Sequence, residues 1–340
     1  MRYPEFLPNG GTIGFVAPAF GCATEPYKSA FINAQKKFTE MGYKCLVGPN
    51  CYEDAGIGIS NTPKACGEEL TDFYCNDTTD VLISCGGGEL MCETMDYVDF
   101  AKIANANPKW YMGYSDNTNF VFPLTTMYDT AAVYGPNAKA FGMEPWHEAI
   151  ADAMDILRGQ KLSFTGYDKW ESESLSGGEN PFAPYNCTQK SIIKAFPSDS
   201  FAMKGRLVGG CMDCLSNLCG TNFDHVQEFA DKYKEDGVLW FLEACDLSVL
   251  SIRRALWEMD HAGWFKNASG FIIGRPYFFD KPIMGLDRYD AVTGVLAKYD
   301  VPILMDADIG HLPPAIPLIS GSLAEVTVNG GKYRIDMELK

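Results

Sequence analysis

The 340 residues carry 28 basic against 44 acidic side chains, a formal charge of −16, with 46% hydrophobic and 13% aromatic residues. That acidic balance excludes nucleic acid or an anionic membrane as the main partner. The length favours two domains over one core, and no apolar run reaches the roughly 20 residues that span a bilayer.

The opening Met1-Arg2-Tyr3-Pro4-Glu5-Phe6 is not a basic-then-apolar leader. The twelve cysteines are scattered, with several in apparent core segments (Cys45, Cys85, Cys245). Buried thiols in a reducing cytoplasm are the expected state, not a disulfide scaffold.

The first half alternates short apolar strands with helices. Gly11–Ala17 reads as a strand, Tyr27–Met41 as a helix, Cys45–Val47 as extended and Pro63–Tyr74 as a helix. Val81–Ser84 reads as a buried strand and about Leu90–Ile103 as a helix. A Trp110–Tyr114 strand follows, then a helix after Ser115, an Ala131–Tyr134 strand and a Pro145–Leu157 helix. This alternation predicts a parallel sheet with right-handed crossovers. From Gly159 to about Lys204 the pattern breaks. Gly177-Gly178, Pro181 and Pro184, among many Ser and Glu residues, mark a link and long loop. Strands resume at Leu207-Val208, Val238–Leu242, Phe271–Ile273, Ile303-Leu304 and Val326–Val328. Helices are expected near Met212–Leu218, Leu250–His261 and Asp287–Lys298. We expect an N-terminal unit at 1–160, the link at 161–204 and a C-terminal unit at 205–340.

In open parallel sheets, ligands sit at the carboxyl ends of strands. Ser115 follows the apolar Trp110–Tyr114 run and precedes an Asp-Asn-Thr helix start. A sharp strand-to-helix turn presents such a serine outward beside free amides, which suits a nucleophile. A helix-capping serine is the structural alternative. Cys85-Gly86-Gly87-Gly88-Glu89 exposes backbone amides at another strand end, without the lysine of a phosphate loop or the G-x-G-x-x-G spacing.

A serine nucleophile needs a base, and the base an orienting acid. Of His147, His225, His261 and His311, only His311 ends a strand and its Gly-His turn, ahead of Pro313-Pro314. Glu243 terminates the apolar run Val238–Leu242, where a carboxylate needs a partner. Arg253, Arg254 and Arg275 are candidate neutralisers, and Asp246 a helix cap. Cys211-x2-Cys214-x4-Cys219-x5-His225 has metal-like spacing. Its Cys214, Leu215, Leu218 and Cys219 share one helical face, however, so a core helix is preferred and no metal is expected.

Together these pieces resemble the LD-carboxypeptidase family of serine peptidases, particularly its microcin-immunity branch. The resemblance runs from Gly14-Phe15-Val16-Ala17-Pro18 through Gly86-Gly87-Gly88 and Gly113-Tyr114-Ser115-Asp116 to Leu207-Val208-Gly209-Gly210. It continues through Gly220-Thr221, Leu242-Glu243 with Asp246, and Gly274-Arg275-Pro276, to Gly310-His311. It implies Ser115 as nucleophile, His311 as general base and Glu243 as its orienting acid. The backbone amides of Gly87 and Asp116 would form the oxyanion hole. The implied fold is an N-terminal parallel, Rossmann-like α/β domain and a C-terminal swivelling β-barrel-like α/β domain, commonly as a homodimer, with no cofactor.

Two departures stand out. Asn117 replaces the last glycine of a G-x-S-x-G elbow, and Cys211 follows Gly209-Gly210 where many relatives carry Asn. The implied substrate is a murein tetrapeptide, cleaved at its L,D-bond, or an acidic aminoacyl group joined by an amide to a modified nucleotide. Trp170, with Glu171 and Glu173, is a candidate for nucleobase stacking and Arg275 for substrate contact. A non-catalytic cleft protein that binds a peptide or nucleotide is the rival reading.

Overall fold

The computed structural model describes residues 1–340. Its first sheet grows from the alternation visible in the sequence. In chain order come β1 (Thr12–Val16), α1 (Tyr27–Glu40), β2 (Lys44–Val47), α2 (Pro63–Cys75) and β3 (Val81–Ser84). Then follow α3 (Met91–Thr94), α4 (Phe100–Asn105), β4 (Trp110–Gly113), α5 (Thr118–Thr126), β5 (Ala132–Tyr134) and α6 (Glu148–Leu157). These five strands pair in parallel in the order β5-β4-β3-β1-β2. β3, β4 and β5 are buried throughout, as expected when helices cover both faces of a parallel sheet. Local chemistry sets the helix starts. The Thr62 hydroxyl accepts from the Ala65 N–H, with Pro63 at the first helical position. The single helix expected over Leu90–Ile103 is broken instead. Val98 is extended, and the Asp99 carboxylate caps a new helix at the Lys102 N–H.

The second half opens with β6 (Ser163–Thr165), β7 (Lys169–Trp170), β8 (Gln189–Lys190), β9 (Lys194–Phe196) and β10 (Ser200–Cys211). It continues with α7 (Met212–Leu218), α8 (Val226–Lys232), β11 (Val238–Glu243), α9 (Val249–His261), β12 (Ala268–Gly274), α10 (Arg288–Leu296) and β13 (Ile303–Ala307). β14 (Leu318–Ser320), β15 (Leu323–Asn329) and β16 (Lys332–Glu338) close the chain. An eight-stranded sheet runs β6-β16-β15-β10-β11-β12-β13-β9, parallel from β10 to β13 and antiparallel outside it. The stretch 161–204, read as link and loop, thus supplies β6, β9 and the start of β10 to this sheet. β14 returns to pair antiparallel with β5 in the first sheet.

One apolar cluster joins the two sheets, from Phe15, Phe38, Trp110 and Val133 to Leu207, Phe241, Leu304 and Ile335. Full burial of a side chain such as Phe241 contributes about 1.5–3 kcal/mol, so this shared core fixes the strand ends of both sheets against each other. No helix is long and apolar enough to cross a membrane.

Candidate active site

Ser115 leaves β4 in the left-handed region, with φ of +65°, and starts a short turn (Ser115–Asn117) that runs into α5. That conformation is unfavourable for a residue with a Cβ and persists where surrounding contacts hold it. Here they do. The Ser115 N–H donates to the Tyr134 hydroxyl oxygen at 3.2 Å. Tyr134, at the end of β5, donates in turn to Glu243 Oε1 at 2.6 Å.

Glu243 is the last residue of β11 and has no solvent exposure. Its Oε2 lies 2.9 Å from His311 Nδ1, and His311 Nε2 lies 2.8 Å from Ser115 Oγ. His311 reaches this position because Gly310 turns the chain after β13 with φ of +103°. A Cβ at Gly310 would sit 2.6 Å from Glu243 Oε2, so glycine is required there. The arrangement suits an imidazole that donates its Nδ1–H to the carboxylate and leaves Nε2 free to accept from the serine.

Electrostatics reinforce the geometry. Burial disfavours the Glu243 charge, but the His311 charge and hydrogen bonds from His311, Tyr134 and Cys211 outweigh it and hold the carboxyl below its usual range. Burial likewise opposes a proton on His311. The Glu243 carboxylate, with a Cys245 contact, lifts the imidazole well above its usual 6.5.

Gly87 flanks the serine, and a Cβ there would lie 3.0 Å from Ser115 Oγ. Its N–H makes no hydrogen bond within the protein. Asp116 follows Ser115 within the turn. Its buried carboxylate accepts from the Met91 N–H at 2.9 Å and from Asn119 Nδ2 at 2.8 Å. Burial pushes this carboxyl up to about 6, against the Met91 hydrogen bond.

Asn117 explains its own departure from the elbow pattern. Nδ2 donates to the carbonyls of Gly86 at 2.9 Å and Tyr114 at 3.0 Å, and Oδ1 accepts from Tyr111. The side chain therefore straps the glycine run to the serine turn, as a glycine could not. The sequence alone did not reveal Asn117 and Tyr134 in these roles. Their signal was weak: polar residues at or beyond the ends of β4 and β5, beside a candidate nucleophile.

Beside the triad lies a cavity of about 410 Å³, lined among others by Tyr27, Tyr114, Lys139, Glu171, Tyr185 and His311. Neither Trp170 nor Arg275 lines it. Trp170 is buried, with Phe279 against its edge and the Arg275 guanidinium 4.5 Å from its ring centroid. Arg275 also pairs with Asp308 at 3.2 Å and so does not neutralise Glu243. Arg253 and Arg254 bond backbone carbonyls of α10 and α9 instead. Asp246 is exposed, and Ser248 caps α9 in its place. His147 caps α6, while a half-buried His225 and an exposed His261 lie at helix ends. The cysteines of the 211–219 run do not converge with His225. The one set with metal-ligand proximity is Cys211, Glu243 and His311, whose ligand atoms lie within 4.8 Å of one another. Two of those three are already hydrogen-bonded to each other.

Residues 13–135 match the LD-carboxypeptidase N-terminal domain and residues 204–326 the LD-carboxypeptidase C-terminal domain. The microcin C7 self-immunity protein of Escherichia coli is 25% identical over 321 residues, which cover 93% of this chain and 90% of that protein. A structure of the microcin C7 self-immunity protein with aspartyl sulfamoyl adenosine superposes with a TM-score of 0.82 at 24% identity, covering 99% of this chain and 98% of that one. An MccF-like protein from Bacillus anthracis superposes at 0.84 with 19% identity, covering 99% and 100%.

Proposed function

Because the chain belongs to the LD-carboxypeptidase family, we propose that it is a serine peptidase that hydrolyses an amide bond through Ser115, His311 and Glu243. The observation that carries this reading is the unbroken line of hydrogen bonds from Ser115 Oγ through His311 to Glu243. As the hydroxyl attacks the substrate carbonyl, its proton passes to His311 Nε2. Glu243 holds the imidazole in the required tautomer and stabilises the imidazolium. The amides of Gly87 and Asp116 receive the oxyanion, an interaction that strengthens as charge develops. Collapse of the tetrahedral intermediate breaks the C–N bond, and His311 returns its proton to the leaving nitrogen. Water, deprotonated by the same imidazole, then releases the acyl group from Ser115.

Our preferred substrate is an acidic aminoacyl group amide-linked to a nucleotide-like moiety. The full-length similarity to the microcin C7 self-immunity protein supports it, as does the aromatic rim that Tyr27, Tyr114 and Tyr185 give the cavity. The murein tetrapeptide is the second reading, favoured by the match to LD-carboxypeptidase domains at both ends of the chain. Assays with aspartyl sulfamoyl adenosine and a murein tetrapeptide side by side decide between them. Hydrolysis of either must vanish in Ser115→Ala, and full activity in that variant overturns the reading.

The same proposal assigns the nucleophile to an N-terminal unit (1–160) and the base and acid to a C-terminal one (205–340), so neither half is active alone. It takes the protein to be a cytoplasmic homodimer; the twelve unpaired cysteines support the reducing compartment.

A further inference from the structure

Lys139 is the only lysine or arginine among the residues lining the cavity beside Ser115 and His311. It sits in the turn Ala138–Gly142 that follows β5. Its ammonium lies 3.7 Å from the centroid of the Tyr27 ring. It is the donor in no hydrogen bond, and no carboxylate lies within the 4.0 Å of an ion pair. Every other lysine near a buried face of this molecule is satisfied. Lys109, for example, donates to Phe73 O, Asn76 O and Thr79 Oγ1.

Leaving a cation desolvated and unpaired is costly, and burial depresses the basicity of Lys139. The aromatic face offsets only part of that cost. Its neighbours on the inner side with acidic protons are the thiols of Cys22 and Cys85, not carboxylates. The one carboxylate lining the same cavity, Glu171, is committed elsewhere, accepting from the Asn186 N–H at the root of its own loop.

We propose that Lys139 is the specificity-determining residue of this site, and that it holds a free carboxylate of the substrate while Tyr27 packs against its ammonium. The inference rests on the peptidase reading above. It deepens that reading by naming the group that the cavity selects. A carboxylate entering the cavity supplies the missing partner, and a charge-assisted hydrogen bond in a partly desolvated site gives selectivity over a neutral isostere. Both candidate substrates carry such a group, as an acidic side chain on the acyl half or as the terminal carboxylate of the tetrapeptide. The shared chemistry is the carboxylate, and the two sources are separable by experiment.

The test uses the full chain with Ser115→Ala, which binds without turnover, and compares it with Ser115→Ala/Lys139→Met. Calorimetry measures aspartyl against asparaginyl sulfamoyl adenosine, and a murein tetrapeptide against its C-terminal amide. The expected result is a roughly 10- to 100-fold preference for the carboxylate form in one of these pairs. Lys139→Met should abolish it, and Lys139→Arg, which keeps the charge, should largely retain it. The pair that responds identifies the source of the carboxylate. A preference that is absent from both pairs, or that survives Lys139→Met, overturns the inference. Labelling of Ser115 in the otherwise wild-type protein by a fluorophosphonate reads the peptidase proposal separately. A labelled protein with no carboxylate preference leaves the nucleophile standing and removes only the role of Lys139.

Discussion

Glu243→Gln removes one buried charge while keeping the length and packing of the side chain, so it isolates what the carboxylate does for His311. Opposite unit charges at the 2.9 Å separation of this pair attract by roughly 6 kcal/mol at an effective dielectric of about 20. Burial of the imidazole opposes that attraction, so the net effect on its pKa is smaller, yet the direction is upward. In the wild type, the acid limb of the kcat/KM profile should therefore fall well above 6.5, because protonated His311 cannot accept from Ser115. In Glu243→Gln the burial that lowers the pKa is opposed only by the Cys245 and Tyr114 contacts, and the limb should move to lower pH by at least about one unit. The rate should nevertheless collapse. A glutamine amide can donate to Nδ1, which favours the tautomer with its proton on Nε2 and blocks the base. In a trypsin-like triad, loss of the acid in this way costs about 10⁴ in kcat. Steady-state hydrolysis followed from about pH 5 to about pH 10, with circular dichroism to verify the fold, measures both effects. An unshifted limb with near wild-type kcat would refute the assignment of Glu243 as the partner of His311.

Tyr134→Phe removes the hydroxyl that links the Ser115 N–H to Glu243. It should cost about 1–3 kcal/mol of stability and lower kcat/KM roughly 10- to 100-fold, as the turn at Ser115 loosens; an unchanged melting temperature contradicts this. Gly87→Ala keeps the backbone amide but sets a methyl 3.0 Å from Ser115 Oγ, and displacement of the serine from that oxyanion donor should lower kcat by about 10²–10³. Thermal unfolding should change far less than activity, whereas equal loss in both would make Gly87 merely structural. Asp116 has a carboxyl raised to about 6, so its folded pKa exceeds the unfolded one. Its contribution to stability is then present at low pH and is lost as pH rises through about 6. Asp116→Asn, which keeps an acceptor for Met91, should gain stability relative to wild type at about pH 7, keep only part of that gain at about pH 5 and lose it at about pH 4 and below, where the unfolded carboxyl is also protonated (roughly 3.9). A gap independent of pH, measured by urea unfolding, speaks against a buried, ionising Asp116.

The parts of the fold legible in sequence were those set by local pattern. β3 and β4 are short apolar runs bounded by turn residues, and they form as read, as does α2 behind Thr62-Pro63. What escaped was set by partners far along the chain. β14 is three residues long and exists because β5 offers an edge nearly two hundred residues earlier. β6 and β9 lie in a stretch rich in turn formers and become strands by docking on β16 and β13. The site shows the same division. Ser115, Glu243 and His311 each end or closely follow a strand, and each carries chemistry that stands out against apolar neighbours. Tyr134 and Asn117 acquire their roles only when β5, β11 and the glycine run converge. Trp170 and Arg275 were read singly as substrate contacts, because no local feature reveals that they stack on each other.

If His311 activates Ser115, the serine should react with a fluorophosphonate far faster than any other hydroxyl in the protein, and mass mapping after brief exposure reads this. A single adduct is expected on Ser115 in the wild type, none in Ser115→Ala, and a rate of labelling at least about 10²-fold slower in His311→Ala. An unlabelled wild type, or an adduct on another residue that persists in Ser115→Ala, would contradict it.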